Sequence, residues 1–458
     1  MKIRKLTFGI ALVLGAVLAW NSTTKDSNAL EEQDPLKVAT WEGASFESDV
    51  FSVAKLTDAD TASYSKASDG GSITVSREDG IGFIYVKFDR LPKPWSVTDV
   101  VSGQIYNCGQ QGFLHEYVKI EGLPTELTLV FPEGTVIADV FAFSDGVVPE
   151  WVQTWKAPCE KADLLLISSH SDDEQLFFAG VLPYYAGELG YEVQVAYVVQ
   201  HFAVGKSQNH VRPHEQLDGL WAVGVRHYPV MGEFPDLYAE SKDRQEAFKQ
   251  AEAVFRQYGF AYEDFVSYMV EQFRRFKPLV VVSHDLNGEY GHGTHVLAAA
   301  AITEAIEAAA DDSLFVESAE AYDTHKVEKV YLHLYDKNKI VMDWDVPLEN
   351  FGGKTAFEVT RDGFACHKSQ HWTWFYKWIY GKEGRIVNKA TDIKRYSPCK
   401  YGLYYTGVGL DEIGGDFFEN VPSYAQREAH IREVRKQMQT VAYDKLKEAI
   451  TNVLYKAQ

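Results

Sequence analysis

Two short clusters of histidine and acidic residues stand out along the chain. The first is the run HSDDE at residues 170–174, and the second is the run YGHGTH at residues 290–295. Imidazole and carboxylate groups are good ligands for first-row metal ions, and a catalytic zinc ion takes about three protein ligands and leaves one position open. His170, Asp173 and His295 meet that count. Their types and spacing predict a metal-dependent hydrolase.

Each cluster follows a stretch of apolar residues that is typical of a strand buried on both faces. These stretches are residues 163–168 and residues 279–283. Open parallel sheets bind ligands at the carboxyl ends of their strands, so both clusters are expected at one edge of a sheet. An acidic run is also common at a helix start, where it complements the helix dipole. That alternative does not account for His170, and the joint placement of the clusters favours the metal site.

From residue 151 onward, strand patterns alternate with helical patterns. This alternation predicts an α/β fold, with a Rossmann-like, mostly parallel sheet flanked by helices and followed by a C-terminal extension up to residue 458. One or two surface helices are expected over residues 424–455. The other predicted strands and helices are strands over 193–199, 225–228 and 327–334, and helices over 175–189, 213–223, 265–276 and 295–309.

Residues 36–150 carry a different pattern, with short alternating strands and no helical period. Glycine, proline and aspartate separate the strands, so a small all-β sandwich is expected ahead of the α/β domain. Its role would be that of a carbohydrate-binding or spacing module. The predicted strands cover residues 72–76, 83–88, 117–120, 127–131 and 136–143.

The first 29 residues have the pattern of a signal peptide. Three basic residues precede an uncharged stretch over residues 6–20, which is short for a bilayer span. We therefore expect an exported protein, located in the periplasm, the cell envelope or the medium, with no stable membrane span after cleavage. A retained anchor helix is the alternative.

Charge and cysteine content narrow the partners and the chemistry. The 45 basic and 65 acidic residues give a formal charge of −20, so a nucleic-acid partner is not expected. None of the four cysteines forms a Cys-x-x-Cys pair, which argues against a thiolate zinc site. Export permits a disulfide between Cys366 and Cys399, and free buried thiols are the alternative.

The two clusters resemble motifs of the PIG-L/LmbE-like zinc-dependent N-acetylglucosaminyl deacetylases. The first is similar to the family's H-P-D-D-E motif, with Ser171 in place of proline, and the second to its Tyr-Gly-His-x-x-His segment. Between them, the run RPHE at residues 212–215 resembles the family's Arg-x-x-Glu helix. By motif order the resemblance covers residues 162–309, and the N-terminal strands lie outside it.

This resemblance implies zinc-dependent removal of an N-acetyl group from an N-acetylglucosamine-type conjugate, so an amino sugar or glycoconjugate is the expected substrate. It implies that His170, Asp173 and His295 bind Zn²⁺, or another divalent first-row metal, and that Asp172 is the general base. A carboxylate beside the metal but not bound to it is suited to accept a proton from water. Ser171 removes a rigid φ from the motif, which is expected to alter loop stiffness rather than chemistry.

The resemblance also implies roles around the metal. His292 and Tyr290 would face the developing oxyanion, and Arg212 would hold the substrate with help from Asp236. Thr294 stands where the family frequently has an aspartate, so the environment of His292 is expected to differ from that of relatives. Either Asp172 or His292 would deliver the proton to the leaving amine.

Two other functions remain open from the sequence. The metal site would also serve hydrolysis of a different amide or carbamoyl-like bond. A carbohydrate-binding protein with a non-catalytic deacetylase fold is the alternative from another class, although the full set of ligands and base argues against it. Trp372 and Trp374 would either line a sugar subsite or pack in the core, and core packing is the more common role for tryptophan.

Overall fold

The computed structural model describes residues 37–199 and 210–456. The signal-peptide prediction for residues 1–29 concerns residues outside these ranges. Within them, no helix has the length and apolar character that crossing a membrane requires.

Two antiparallel sheets make up most of the N-terminal region. One has the strand order β1-β3-β8-β5-β6 and the other the order β2-β9-β4-β7. Inward residues such as Val75 and Leu129 of the first sheet and Val86 and Val140 of the second belong to one hydrophobic core. The five predicted strands are present, and β1, β2, β5 and β6 were not predicted. The strands are β1 (Ser45–Glu47), β2 (Ser65–Ala67), β3 (Gly71–Ser76), β4 (Phe83–Phe88), β5 (Trp95–Asp99), β6 (Ile105–Cys108), β7 (His115–Lys119), β8 (Glu126–Phe131) and β9 (Thr135–Phe143).

A six-stranded sheet forms the centre of the remaining chain, and the expected mixed α/β fold is confirmed. Its order is β11-β10-β12-β13-β17-β14. The first four strands pair in parallel, whereas β17 is antiparallel to both of its neighbours. All residues of β10 are buried, as expected for a strand covered on both faces. The strands are β10 (Leu164–Ser168), β11 (Val193–Tyr197), β12 (Val280–Ser283), β13 (Lys329–His333), β14 (Lys339–Val341) and β17 (Lys400–Thr406), with a separate hairpin of β15 (Gly381–Lys382) and β16 (Arg385–Ile386).

The short strand predicted over residues 225–228 was wrong, because that segment makes only an isolated bridge between His227 and Lys156. The helices follow the predicted pattern, with one correction. A single helix over residues 175–189 was wrong: a short α2 is followed by a turn and by a π-helix over Pro183–Glu188. The break comes at Gly180, whose φ is +88° and where a Cβ would lie 2.2 Å from the Trp344 ring. The α-helices are α1 (Val53–Leu56), α2 (Asp173–Leu176), α3 (Arg212–Ala222), α4 (Arg244–Gln257), α5 (Tyr262–Phe276), α6 (Gly293–Ala308), α7 (Val316–Tyr322), α8 (Ala356–Ala365), α9 (Trp374–Ile379) and α10 (Tyr424–Lys456).

The N-terminal region contacts helix α3 and the segment just before it through polar side chains. His115 of β7 and His214 of α3 are hydrogen-bonded through Nε2 and Nδ1 at 2.7 Å, and His210 contacts Asp89 at 2.8 Å. Residues Val38–Gln458 form one compact unit, and the domain boundary at residue 150 stays a prediction.

All four cysteines are free thiols, so the Cys366–Cys399 disulfide was wrong and the alternative of free thiols is the one observed. Three of them are buried, and Cys366 is partly buried. Burial raises the pKa of the Cys366 and Cys399 thiols to about 12, which leaves both protonated near neutral pH.

Candidate active site

Three neighbouring parallel strands deliver the polar residues of the site. Strand β10 ends at Ser168 just before the HSDDE run, β12 ends at Ser283, and β13 ends at His333. Because these strands are parallel and adjacent, their carboxyl ends lie at one edge of the sheet. The sheet thereby gathers residues that are more than a hundred positions apart in the chain.

The three predicted metal ligands converge in the structure. His170 Nδ1 lies 3.0 Å from Asp173 Oδ2 and 3.2 Å from His295 Nε2, and the last two atoms are 3.1 Å apart. Ligands at tetrahedral zinc, with bonds of about 2.0–2.1 Å, are roughly 3.3 Å from one another. The spacing of these donor atoms therefore fits one such ion. We call the three residues His170, Asp173 and His295 the metal triad.

A second carboxylate stands behind each imidazole of the metal triad. His170 Nε2 contacts Asp236 Oδ1 at 2.9 Å, and His295 Nδ1 contacts Glu289 Oε2 at 2.7 Å. Such partners fix the ring orientation of metal-binding histidines and raise the basicity of the nitrogen facing the metal. The residues of the triad thus match both the ligand set and the supporting carboxylates of a metal site.

The same carboxylates make the triad a cation-stabilising environment. Burial by itself lowers the pKa of His170, but the charges of Asp236 and Asp173 outweigh it and raise the pKa to about 10. For His295, burial is likewise outweighed, mainly by Asp173 and Glu289, and the pKa rises to about 9. Carboxylates accept hydrogen bonds only, so imidazole nitrogens that face them on both sides require protons or a metal ion.

Glu289 is buried and accepts hydrogen bonds from three histidines. Its Oε2 accepts from His284 Nδ1 and His295 Nδ1, each at 2.7 Å, and its Oε1 accepts from His333 Nδ1 at 2.6 Å. Burial raises the pKa of this carboxyl, but the three imidazoles outweigh burial and hold the pKa well below its ordinary value. Glu289 is therefore an anion whose charge fixes the tautomers around it.

Two other histidines are close enough to be considered as ligands. His284 Nε2 already accepts the backbone N–H of Ser169 at 2.9 Å, so no lone pair of His284 remains for a metal. His292 groups with His170 and His295, and its Nδ1 has no hydrogen-bond partner in the part of the chain that the structure describes. His292 therefore stays available either to the ion or to a substrate.

Comparison with known proteins identifies this part of the chain. Residues 165–306 match the family described as PIG-L: GlcNAc-PI de-N-acetylase. These residues are a PIG-L domain. The match includes every member of the metal triad and both clusters from which the triad is built, and it ends within α6.

Curated relatives resemble part of the chain. A 1D-myo-inositol 2-acetamido-2-deoxy-alpha-D-glucopyranoside deacetylase of Catenulispora acidiphila is 26% identical over 191 residues, which are 37% of this chain and 56% of the relative. The Rhodococcus erythropolis enzyme of that name is 28% identical over 182 residues, 36% of this chain and 58% of the relative. This chain spans little more than half the length of these curated relatives.

Among solved structures, the N,N'-diacetylchitobiose deacetylase of Pyrococcus horikoshii superposes with a TM-score of 0.34 at 14% identity, covering 49% of this chain and 78% of its own.

Asp172 of the PIG-L domain has an unusual backbone and a shifted pKa. Its φ is +129°, a value that non-glycine residues rarely adopt and that is typical of strained functional positions. The Glu174 carboxylate accepts the Asp172 N–H at 2.8 Å and supports this turn. Burial raises the pKa of Asp172 to about 7, against the opposing charge of Arg212. A carboxylate with that pKa suits a general base near neutral pH.

Tyr290 and His292 lie beside the metal triad. The Tyr290 ring is 5.5 Å from that of His292 and 5.6 Å from that of His295. The φ of Tyr290 is +52°, so a second predicted catalytic residue has a left-handed backbone. Burial, together with the charges of His170 and His295, holds the pKa of His292 well below its ordinary value. A neutral His292 can still donate from whichever nitrogen carries the proton.

The two predicted substrate residues occupy different positions. Arg212 starts α3 and donates to the Ser171 carbonyl at 2.7 Å, with the Asp172 carboxylate 3.4 Å away. Its buried Nε has no hydrogen-bond partner within the described ranges. Asp236 contacts His170, as described above, and also lies 3.5 Å from His292 Nε2. Asp236 is therefore nearer to the triad than its predicted substrate-binding role requires.

Thr294 ties the segment that carries Asp236 to helix α6. Its hydroxyl accepts the Leu237 N–H at 2.8 Å and lies 3.3 Å from Asp236 Oδ1. An aspartate at position 294 would place a second carboxylate against Asp236. With threonine at position 294, Asp236 is the carboxylate nearest to His292 among the ion pairs of the described residues.

Three residues of the site were not predicted from the sequence: Glu289, His284 and His333. A signal for two of them was available, because His284 follows β12 directly and His333 ends β13, as His170 follows β10. The rule that polar residues at parallel strand ends meet applied equally to them. Glu289 carried no signal beyond its position next to Tyr290.

Proposed function

We propose that this chain is a metal-dependent hydrolase that removes the N-acetyl group of an N-acetylglucosamine-type amino-sugar conjugate. The convergence of His170, Asp173 and His295 within 3.0–3.2 Å, inside a PIG-L domain, is the observation that carries the proposal. The names of the related deacetylases support the choice of an acetylated amino sugar as substrate.

The metal triad would hold a divalent ion, with Zn²⁺ as the first candidate. Its two imidazoles and one carboxylate are a donor set that zinc accepts, with room for a further ligand. When bound, such an ion provides Lewis-acid activation of water and of the acetamide carbonyl. Asp236 and Glu289 would hold the proton of each imidazole on the nitrogen that faces them. His170 Nδ1 and His295 Nε2 would then be unprotonated and directed at the ion.

Asp172 would accept the proton that water loses as it attacks the acetamide carbon. Asp172 is held in place by its contact with Arg212 and by the hydrogen bond that its backbone N–H donates to the Glu174 carboxylate. Neither contact protonates the Asp172 carboxylate. Its pKa of about 7 leaves a substantial fraction of the base ionised at neutral pH.

Tyr290 and His292 would donate hydrogen bonds to the oxygen on which negative charge develops. The C–N bond then breaks, and the nitrogen takes up a proton to leave as the free amine, with acetate as the other product. Asp172, which has just gained a proton, and His292 remain the two candidates for that delivery. Arg212 would bind the sugar through donors that its contacts to Ser171 and Asp172 leave unused.

The proposal is tested by metal content and acetate release together. Purified protein loaded with zinc is expected to bind one ion per chain and to release acetate from N-acetylglucosamine oligosaccharides or glycolipids. Asp172→Asn should retain the ion and lose activity about a hundredfold or more, as expected for loss of a general base. Protein that binds no divalent ion stoichiometrically, or Asp172→Asn with full activity, would refute the mechanism.

The remaining expectations are part of the same proposal. Stoichiometric metal without acetate release would favour another amide or a carbamoyl-like bond, and sugar binding without metal would favour a non-catalytic binding protein.

We also propose a Rossmann-like sheet in a domain over residues 151–458, an accessory β-sandwich over residues 36–150, and export after cleavage of the first 29 residues. Amino-terminal sequencing of the mature protein tests the last of these.

A further inference from the structure

Three tryptophans in one short segment have very different environments. Trp378 is buried, with 6% of its surface exposed, whereas Trp374 is 47% and Trp372 is 84% exposed. Core packing, the more common role, therefore holds for Trp378 and fails for the other two. Single exposed apolar side chains are common on protein surfaces, so exposure indicates a binding site only together with the position of the side chain.

The exposed ring of Trp374 adjoins the candidate active site. It lies 6.1 Å from the Tyr290 ring at an interplanar angle of 90°, and 4.1 Å from the Phe375 ring. Phe375 in turn contacts Tyr290 at 5.6 Å. Trp374 is therefore held by three aromatic neighbours, Tyr290, Phe375 and Trp378, while nearly half of its surface stays open to solvent.

A second exposed aromatic residue lies next to the same site. Tyr238 is 67% exposed, and its ring is 5.0 Å from that of His292. Rings thus continue from Trp374 through Tyr290 and His292 to Tyr238, with successive centroids 6.1, 5.5 and 5.0 Å apart. Both ends of this row are exposed, and the middle adjoins the metal triad.

We propose that Trp374 and Tyr238, at the two ends of this row, are the outer walls of the sugar-binding site, that Trp374 forms a subsite away from the metal triad, and that the substrate carries at least one pyranose ring beyond the amino sugar that is deacetylated. Tyr290 separates Trp374 from the metal triad, so a ring stacked on Trp374 is not the ring whose acetamide is hydrolysed. The inference rests on the proposed function, and it adds the length of the substrate.

Sugar is the ligand that the chemistry of these walls favours. Flat aromatic rings cover the C–H faces of a pyranose, while the tyrosine hydroxyl, the indole N–H and the nearby Asp236 carboxylate can bind its hydroxyl groups. A phospholipid surface is a poor alternative because the chain carries a net charge of −20. Trp374 lies outside residues 165–306, so the subsite combines the PIG-L domain with the later part of the chain.

The test is equilibrium binding of the β-1,4-linked trisaccharide of N-acetylglucosamine to the Asp172→Asn protein, measured by calorimetry. Adding Trp374→Ala is expected to raise the Kd about tenfold, the loss of one aromatic stacking contact. Adding Trp374→Phe should recover part of the affinity. Trp372→Ala is the matched control, because no ring contact joins Trp372 to the site within the described residues, and its Kd should equal that of the parent.

The subsite is overturned if the trisaccharide does not bind, if Trp374→Ala binds it as well as the parent, or if Trp372→Ala weakens binding equally. Binding does not require turnover, so these outcomes are separate from those of the proposed function. Acetate release by the wild-type protein reports on the reaction alone. For the active protein, Trp374→Ala should lower kcat/KM for the trisaccharide about tenfold, whereas the control Trp372→Ala should not lower it.

Discussion

Two clusters of buried histidines in this molecule have pKa values that are shifted in opposite directions. In the metal triad, carboxylates overcome the effect of burial and raise the pKa of His170 to about 10 and that of His295 to about 9. In the pair between the N-terminal sheets and α3, burial holds the pKa of His115 and His214 well below the ordinary value. Both clusters are almost completely buried.

The difference comes from the groups that face the far nitrogens. His115 Nδ1 donates to the Gln153 amide oxygen at 2.7 Å, so its Nε2 accepts from His214 Nδ1 and both rings stay neutral. In the metal triad the corresponding groups are Asp236 and Glu289. In these two clusters, the imidazole backed by an amide makes a structural contact, whereas the two imidazoles backed by Asp236 and Glu289 and facing Asp173 make a cation site.

Removing the shared carboxylate of the triad should have the largest effect. Asp173→Asn takes away one ligand atom, and metal affinity is expected to fall by more than the roughly 100-fold seen for loss of a supporting residue. Acetate release should fall to background. Metal analysis after dialysis measures the first effect, and the neighbouring Asp172→Asn, which should keep its metal, is the control. Full metal content in Asp173→Asn would contradict the assignment of the triad.

Glu289→Gln should weaken both stability and metal binding. The change leaves three buried imidazoles without their shared anion, so the free energy of unfolding is expected to fall by about 3–5 kcal/mol. Metal affinity should drop about 10–100-fold because His295 loses its supporting carboxylate. Urea unfolding and metal titration measure the two effects. Glu307→Gln, on the exposed face of α6, should change stability by less than about 0.5 kcal/mol.

The interface pair should affect stability without affecting the metal. His115→Leu leaves the Nδ1–H of His214 without an acceptor, at an expected cost of about 1–3 kcal/mol, with metal content unchanged. Loss of metal in this variant would remove the distinction between the two clusters.

The same pair should make stability depend on pH. The unfolded chain protonates both imidazoles below their ordinary pKa of about 6.5, whereas the folded protein, with its lowered pKa values, does not. Their contribution is complete above that pH and is lost as the pH falls, by at most about 1.4 kcal/mol per pH unit for each ring. Lys87, Asp218 and His210 also face the pair, so the wild-type curve should be compared with that of His115→Leu/His214→Leu, which is expected to be flatter.

The smallest effect is expected at Thr294. Thr294→Val removes the hydroxyl that accepts the Leu237 N–H, and the unfolding free energy should fall by about 1 kcal/mol. Because this contact holds the segment carrying Asp236, kcat/KM should also fall severalfold. Thr294→Ser keeps the hydroxyl and should behave like the wild type in both unfolding and kinetics. A loss in Thr294→Ser without a loss in Thr294→Val would show that the methyl group, rather than the hydroxyl, matters.

The sequence predicted the parts of the site that lie next to recognisable strands. His170 and Asp173 follow an apolar run, and the run before His295 could be recognised in the same way, so their convergence was predictable. Glu289 was not, because its role depends on His333, which reaches it only through the pairing of β12 with β13. The helix over residues 175–189 failed for a similar reason: the Trp344 ring occupies the space beside Gly180.

The amino-acid sequence by itself determined which elements form and which ligand types follow them, because strand patterns and short motifs are local properties of the chain. Tertiary structure decided which nitrogen of each histidine faces the triad and which faces a carboxylate, since Asp236 comes from another segment and Glu289 is held by His333 of β13. It also decided that Trp378 is buried while Trp374 is exposed beside Tyr290. Burial and charge at a site are sums over neighbours that are distant in sequence, and only the folded chain brings those neighbours together.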